Sequence, residues 1–304
     1  IKFMLLIPKM ICKLQKKKMR LLNLFFLLSF FVSFSQVKTP QASPKSKLIQ
    51  NVGLIEITIE YSRPSIKGRD IMGDLVAYGE IWRTGANNIS TIKFSDQVSI
   101  NNKLIPKGKY SLLTKPNKKS WNIYLLEYNE EERVLNIIKN WDDQIIISEL
   151  NVPVIYKDKK TETFTIDINN ISNNGADINL TWENTLIQIP VNVLSKQKVL
   201  ASIKETINNK PSAYDLYNSA SYYLQEGEDL NLAKKWINKA IKIDSTKYWM
   251  FRLQAVIHNK LNLNKEAINA AKKGLELAKK AGNNDHIRMN LKSIQNWGKL
   301  VSSN

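Results

Sequence analysis

The sequence predicts a mixed two-domain chain, in which an all-β domain, sandwich-like or barrel-like, is followed by an all-α domain. Up to Val193, apolar and polar residues alternate with a period of two, which is typical of strands with one buried face. Beyond Val193 the apolar residues recur at helical spacing. The charge changes at the same place: residues 36–194 contain 19 basic and 18 acidic residues, and residues 195–304 contain 19 and 9.

The first 35 residues have the organisation of an export signal. A basic segment ends at Arg20, and the apolar run Leu21–Val32 that follows is too short to span a bilayer. Small residues at Ser33 and Ser35 predict cleavage before Gln36. A retained anchor is the alternative, which the length disfavours. We therefore expect a periplasmic or secreted protein with no stable membrane anchor.

The composition excludes several chemistries. The only cysteine, Cys12, lies in the export signal, so residues 36–304 offer no disulfide, thiolate metal site or cysteine nucleophile. The two histidines, His258 and His286, both lie in the helical part. A Ser–His–Asp triad or a histidine-ligated metal therefore cannot be built within the β domain. We expect no metal and no cofactor.

Residues 36–194 form the predicted β domain. The alternation over Ile55–Tyr61 predicts the first strand, because every second side chain falls on one buried face. Seven further segments of this kind follow, at 91–94, 97–100, 109–114, 121–126, 163–168, 178–182 and 186–193. Turn signals separate them, as at Asn101-Asn102 and at Asn173-Asn174-Gly175. Many short strands without intervening helices favour an antiparallel sandwich or barrel.

Residues 195–304 form the predicted helical domain. It begins with Val199, Ile203 and Ile207 at four-residue spacing, and Ser212 is placed to cap the next helix with Asp215 at its third position.

The helical domain then repeats itself with a shift of 34 residues. The shift places Ala233 on Ala267, and the same offset relates Ile237 to Ala271 and Ala240 to Gly274. This period, with small residues where helices would pack, resembles the tetratricopeptide repeat. We interpret the domain as two degenerate repeats followed by a capping helix over 285–297. An irregular helical bundle is the alternative.

The stretch YSRPSIKGRDIMGDLVAYGEIWRTGANN, residues 61–88, contains three of the chain's seven arginines and four glycines. Guanidinium groups present planar pairs of donors that fit carboxylate or phosphate oxygens. The hypothesis is that this loop system holds a small anionic or glycan ligand through Arg63, Arg69, Arg83, Trp82 and Asn87. The alternative is that each arginine pins the loops, by bonding to backbone carbonyls or to the nearby Asp70, Asp74 and Glu80.

Together with the later segments LIPKGKYSLLTKP, TFTIDI and INLTWENTLIQIPV, this stretch resembles the domain of unknown function 2911 family. Its members are exported bacterial proteins that sometimes carry C-terminal tetratricopeptide repeats. The resemblance covers residues 43–193 and implies no established reaction, substrate or catalytic residue. The family signature falls on Arg63, Pro64, Gly68, Arg69, Gly73, Trp82, Arg83, Gly85, Ala86 and Asn87. The chain departs most from the family between Glu127 and Lys160.

We therefore expect an exported binding protein whose basic repeats also recruit a protein or peptide partner, with acidic partners favoured by the charge. Nucleic acid is not an expected partner, because the aromatic residues of the repeats have helix-packing spacing. A structural or assembly role in the cell envelope, with no small ligand, is one alternative.

A hydrolase based on carboxylates is the second alternative, with a pair such as Asp70 and Glu80, although residues spaced along a loop fix no distance between them. A metal-dependent enzyme would need clustered acidic residues, for example Asp142, Asp143 and Glu149. This run is typical of a solvated loop.

Overall fold

The structure is a computed structural model that describes residues 39–131, 133–141 and 145–302. The export signal predicted over residues 1–35 lies outside these ranges, as do Asp142 and Asp143. Within the described ranges, no helix combines the length and the apolar character that crossing a membrane would require.

The N-terminal half consists of two antiparallel sheets, as predicted. The described strands are β1 (Lys45–Val52), β2 (Ile55–Ser62), β3 (Ser90–Phe94), β4 (Val98–Ile100), β5 (Lys103–Ile105), β6 (Gly108–Lys115), β7 (Ser120–Glu127), β8 (Ile146–Pro153), β9 (Ile155–Asn169) and β10 (Gly175–Val193). One sheet has six strands in the order β1-β2-β3-β6-β7-β8, and the other has four in the order β5-β4-β10-β9. A short helix, α1 (Val134–Lys139), lies between β7 and β8.

The alternating pattern of the strands builds one core between the sheets. In β2, the side chains of Ile55, Ile57, Ile59 and Tyr61 are buried, and the residues between them face outward. They pack with inward-facing residues from both sheets, among which Trp182 is 2 % exposed. Hydrophobic burial on the inner faces therefore holds the sheets together.

The two sheets are also bonded to each other at one side. After β2 the chain crosses to β9, where the amide of Ile66 donates to the carbonyl of Glu162 and the amide of Phe164 donates to that of Pro64. The hydroxyl of Tyr61 donates to the carbonyl oxygen of Ile166 and accepts from its amide. The edge of β9 is thereby covered over residues 162–166, which joins the two sheets at this point.

Four strands and one helix differ from the prediction. The strands β1, β5 and β8 and the helix α1 were not predicted, and β10 was predicted as two strands. Register shifts on both sides of Glu183, whose φ is +48°, interrupt the alternation inside the single strand β10. In β1, seven of the eight residues are at least partly exposed, and its inner face alternates Ser46 and Gln50 with Leu48 and Val52, so the apolar pattern is weak.

Six helices follow in the described part of the C-terminal half: α2 (Ser195–Asn208), α3 (Ala213–Glu226), α4 (Leu230–Ile243), α5 (Tyr248–Lys260), α6 (Asn264–Lys280) and α7 (Asn284–Ser302). The predicted cap of α3 is present, with the Ser212 hydroxyl accepting from the amide of Asp215 and the Asp215 carboxylate accepting from the amide of Ser212. The all-helical prediction for this half is confirmed.

The helices agree with the predicted 34-residue offset, since α4 begins at Leu230 and α6 at Asn264. The small residues lie where helices approach closely. A Cβ atom at Gly274 would come within 3.4 Å of both Phe251 and Tyr248 on α5. Assignment to the tetratricopeptide class stays a prediction.

Candidate functional site

A cleft of about 1020 Å³ lies on the outer face of the six-stranded sheet. Its floor consists of outward-facing residues on adjacent strands, because the register aligns Lys47 of β1 with Glu60 of β2, and Glu60 with Thr91 of β3. The loop around Arg83 forms one wall, and residues 128–131 and 133–135 form the other.

The second wall stands above the sheet because a small second core supports it. Leu113, Tyr124 and Leu126 lie on the outer face of β6 and β7, and Ile137 of α1 packs on them. The ring of Trp141 meets that of Tyr124 edge to face, with centroids 4.9 Å apart. Burial of these apolar residues fixes α1 on the sheet and so shapes the cleft.

The cleft is lined by more cations than anions. The basic residues are Lys45, Lys47, Arg83, Lys109 and Arg133, and the acidic residues are Glu60, Glu130 and Glu131. Glu60 is already paired, with its carboxylate oxygens 3.0 Å from Nζ of Lys47 and 3.9 Å from Nζ of Lys109. The hydrogen bond from Lys47 holds the pKa of Glu60 below its usual value, so this group stays ionised at neutral pH.

Arg83 is held at the cleft by the loop that contains it. Its Nη1 donates to the carbonyl oxygen of Asn87 at 3.0 Å, and the side-chain amide of Asn87 donates to the carbonyl of Ser43 at 3.0 Å. The loop turns sharply at Gly85, whose φ is +151°. A Cβ atom there would lie 2.9 Å from the carbonyl oxygen of Ser62, so only glycine fits without a shift.

Two of the five residues predicted for the ligand site, Arg83 and Asn87, line this cleft. Arg63 and Arg69 do not. Arg63 reaches β9, where Nε donates to the carbonyl of Phe164 at 3.0 Å and Nη2 donates to the hydroxyl of Thr165 at 2.7 Å. The three arginines therefore do not share one cavity, because the guanidinium donors of Arg63 are bonded to β9 of the other sheet.

Arg69 closes its own turn, with Nε and Nη2 donating to the carbonyls of Ile66 and Ser65 at 3.0 and 2.7 Å. Trp82 packs in the core, stacked on Trp182 with ring centroids 5.9 Å apart. Among the described residues, no ion pair joins Arg63, Arg69 or Arg83 to the three nearby acids, Asp70, Asp74 and Glu80. Arg63 and Arg69 are thus satisfied by backbone and hydroxyl oxygens, whereas Arg83 makes, among the described residues, the single bond to Asn87.

The remaining cleft residues were not predicted from the sequence, and Lys45, Lys109 and Arg133 are the clearest cases. They are far apart in the sequence and meet only through sheet register and the placement of α1. One signal was available: the two lysines of the segment KSK in β1 are two residues apart, so they share one face of a strand.

Neither Asp70 nor Glu80 lines the cleft, so the suggested carboxylate pair does not coincide with it. Within the described ranges, histidine, cysteine and acidic residues form no group of three or more that could hold a metal ion.

The fold and the cleft together define a two-sheet β protein with a C-terminal helical region and a polar, cation-rich cleft on the outer face of one sheet. A search of the curated proteins gave no match. Residues 43–191 match the family described as protein of unknown function (DUF2911), which confirms the resemblance seen in the sequence.

Proposed function

We propose that the β domain, in an exported protein, binds a small anionic ligand in the cleft on its six-stranded sheet. The proposal rests on the hydrogen-bond donors that Arg83 leaves free. This arginine lines the cleft, and the one hydrogen bond of its guanidinium within the described residues is the bond from Nη1 to Asn87. The other edge of its donor fork is available to a carboxylate or phosphate group.

The surrounding charges support an anion over a cation. Glu60 neutralises its lysine neighbours in part, and Lys45 has no ion pair among the described residues. The acidic side chains of Glu130 and Glu131 are exposed, where water and salt screen their repulsion. The described residues that line the cleft carry a formal excess of two positive charges, so a ligand with one or two negative charges matches them best.

Titration calorimetry of the full chain with inorganic phosphate, citrate and glucuronate tests this function. We expect binding of at least one anion, and Arg83→Lys should weaken it by about 1–3 kcal/mol, because lysine keeps the charge but lacks the planar fork. The matched control is Arg288→Lys, which changes an exposed arginine paired with Asp285 on α7. A large loss of melting temperature in Arg83→Lys with unchanged affinity would make Arg83 a structural clamp and favour the envelope-assembly role.

For the helical region we propose recruitment of an acidic protein partner. Exposed lysines that make no ion pair with any described residue support it, namely Lys235, Lys239 and Lys242 on α4 and Lys265, Lys272 and Lys279 on α6. Pull-downs from an envelope extract with the full chain should weaken sharply as salt is raised, because exposed charges are screened within about 10 Å at 0.1 M salt. Retention that is independent of salt would instead indicate an apolar contact.

A further inference from the structure

A second cavity, of about 360 Å³, lies where the β half meets the helices. Two β turns, at Leu54 and Asn173, form one side of it, and α2 and α3 form the other. We propose that this junction cavity binds a small, neutral, polyhydroxylated ligand of monosaccharide size. Such a site is separate from the anion cleft and adds a second ligand class to the protein.

The walls of the junction cavity are held in place by bonds between the two halves. The hydroxyl of Ser195, the first residue of α2, accepts from the amide of Leu54 at 2.9 Å. The side-chain amide of Asn173 donates to the carboxylate of Glu226, on the last turn of α3, at 2.8 Å. The cavity is therefore preformed, as small-molecule sites usually are, and its volume is within their range of about 300–1,000 Å³.

The lining offers hydrogen-bonding groups that the protein itself leaves unused. The hydroxyl of Tyr222 is buried and has no hydrogen-bond partner within the described residues. Ser202, Thr206 and Asn218 also line the cavity, and their side chains make no hydrogen bond within that part of the chain. A buried hydroxyl without a partner costs about 1–3 kcal/mol, so a ligand that bonds to it would recover that free energy.

The same lining excludes strongly charged ligands. No lysine or arginine of the described ranges lines the cavity, so an anion would find no counter-ion among them. Its one charged residue, Asp215, is already bonded to the amide and hydroxyl of Ser212 at 2.9 and 2.7 Å. Hydroxyls both donate and accept, as do the serine, threonine, tyrosine and amide groups of the lining. The apolar side chains of Val199 and Ile203 offer contact for the C–H face of a sugar ring.

Saturation-transfer NMR and calorimetry with the full chain, using glucose and N-acetylglucosamine, test the assignment. We expect millimolar or tighter binding of at least one of them. Tyr222→Phe removes only the unpaired hydroxyl, so the melting temperature of the free protein should not fall, while the sugar should bind about five- to tenfold more weakly. Tyr214→Phe is the matched control, because that tyrosine is on the same helix, is 61 % exposed and does not line the cavity.

A second variant tests the site by filling the junction cavity. Ser202→Phe places a large side chain at an exposed position of the rim, where it should abolish sugar binding without unfolding the protein. Arg83→Lys should leave sugar binding unchanged, and Tyr222→Phe should leave anion binding unchanged, so the two proposed sites fail or succeed independently. The assignment is overturned if neither sugar binds, or if Tyr222→Phe and Ser202→Phe bind them like the wild type.

Discussion

Asn173 donates a hydrogen bond to the carboxylate of Glu226 across 2.8 Å, and this bond ties the turn between β9 and β10 to the end of α3. The adjacent Asn174 donates to the second oxygen of the same carboxylate. One glutamate therefore satisfies two amides of the β half. Charge-assisted bonds of this kind are about twice as strong as neutral ones.

Removing this glutamate should loosen the junction. We expect Glu226→Leu to destabilise the contact between the halves by about 1–3 kcal/mol, because two amides lose their charged acceptor. Limited proteolysis between Leu194 and Pro211 should become faster and leave a stable β fragment. Glu205→Leu, at an exposed position of α2, is the control and should cleave like the wild type. Loss of both halves in one cooperative step would contradict our proposal that they are separate domains.

A second prediction concerns Gly53, in the turn between β1 and β2. Its φ is +55°, and a Cβ atom there would lie 2.4 Å from the hydroxyl oxygen of Ser195 and 2.5 Å from the carbonyl oxygen of Asn173. Gly53→Ala should therefore combine backbone strain with a clash at the junction. Gly68→Ala is the matched control, since that residue has φ +72° and open space around it.

We expect Gly68→Ala to cost about 1 kcal/mol from strain alone, and Gly53→Ala to cost about 1–3 kcal/mol more. Chemical denaturation of the two variants measures the difference. Equal losses of unfolding free energy in the two variants would show that Ser195 and its neighbours make room for the added Cβ atom without an energetic cost.

The third prediction separates the arginines. Arg63 is partly buried and bonds to β9 with two donors, whereas Arg69 is exposed and bonds only within its own turn. Arg63→Lys should lower the free energy of unfolding by about 1–3 kcal/mol, and Arg69→Lys by less. Anion affinity should be unchanged in both. Weaker anion binding in either variant, at unchanged stability, would show that the replaced arginine contacts the ligand.

A fourth prediction concerns pH and α6. Lys273 and Lys280, each 2.8 Å from the carboxylate of Glu276, lower the pKa of that group from 4.5 to about 2. A depressed carboxylate pKa contributes stability that is complete above pH 4.5 and is lost as the pH falls towards 2. The melting temperature of Glu276→Gln should therefore lie below that of the wild type at neutral pH and converge with it near pH 2. Glu205→Gln should show no such convergence, and high salt should reduce the effect at Glu276.

Much of the fold could be predicted because strand and helix periods are local. The buried face of β2 and the cap of α3 each depend on residues that are adjacent or nearly so in the sequence. The strand β1 escaped prediction because its inner face mixes polar with apolar residues: Ser46 and Gln50 alternate there with Leu48 and Val52.

The candidate site was only half predictable, for a different reason. The loop from Arg83 to Asn87 is one continuous segment, and its glycine signalled a sharp turn. The hydrogen-bond partners of Arg63 lie about 100 residues away on β9, so no local pattern could show that its donors are already bonded within the protein. Likewise, Lys109 lies at the cleft because β6 pairs with β3, and Arg133 lies there because it directly precedes α1.

Hydrogen–deuterium exchange of the full chain, with and without the tightest-binding anion among phosphate, citrate and glucuronate, tests the central claim most directly. Ligand in the cleft contacts both walls, so we predict slower exchange over residues 83–89 and 128–135, with no change over residues 65–69 around Arg69. Slower exchange confined to residues 65–69, or no anion-dependent change in either wall, would contradict the assignment of the cleft as the ligand site.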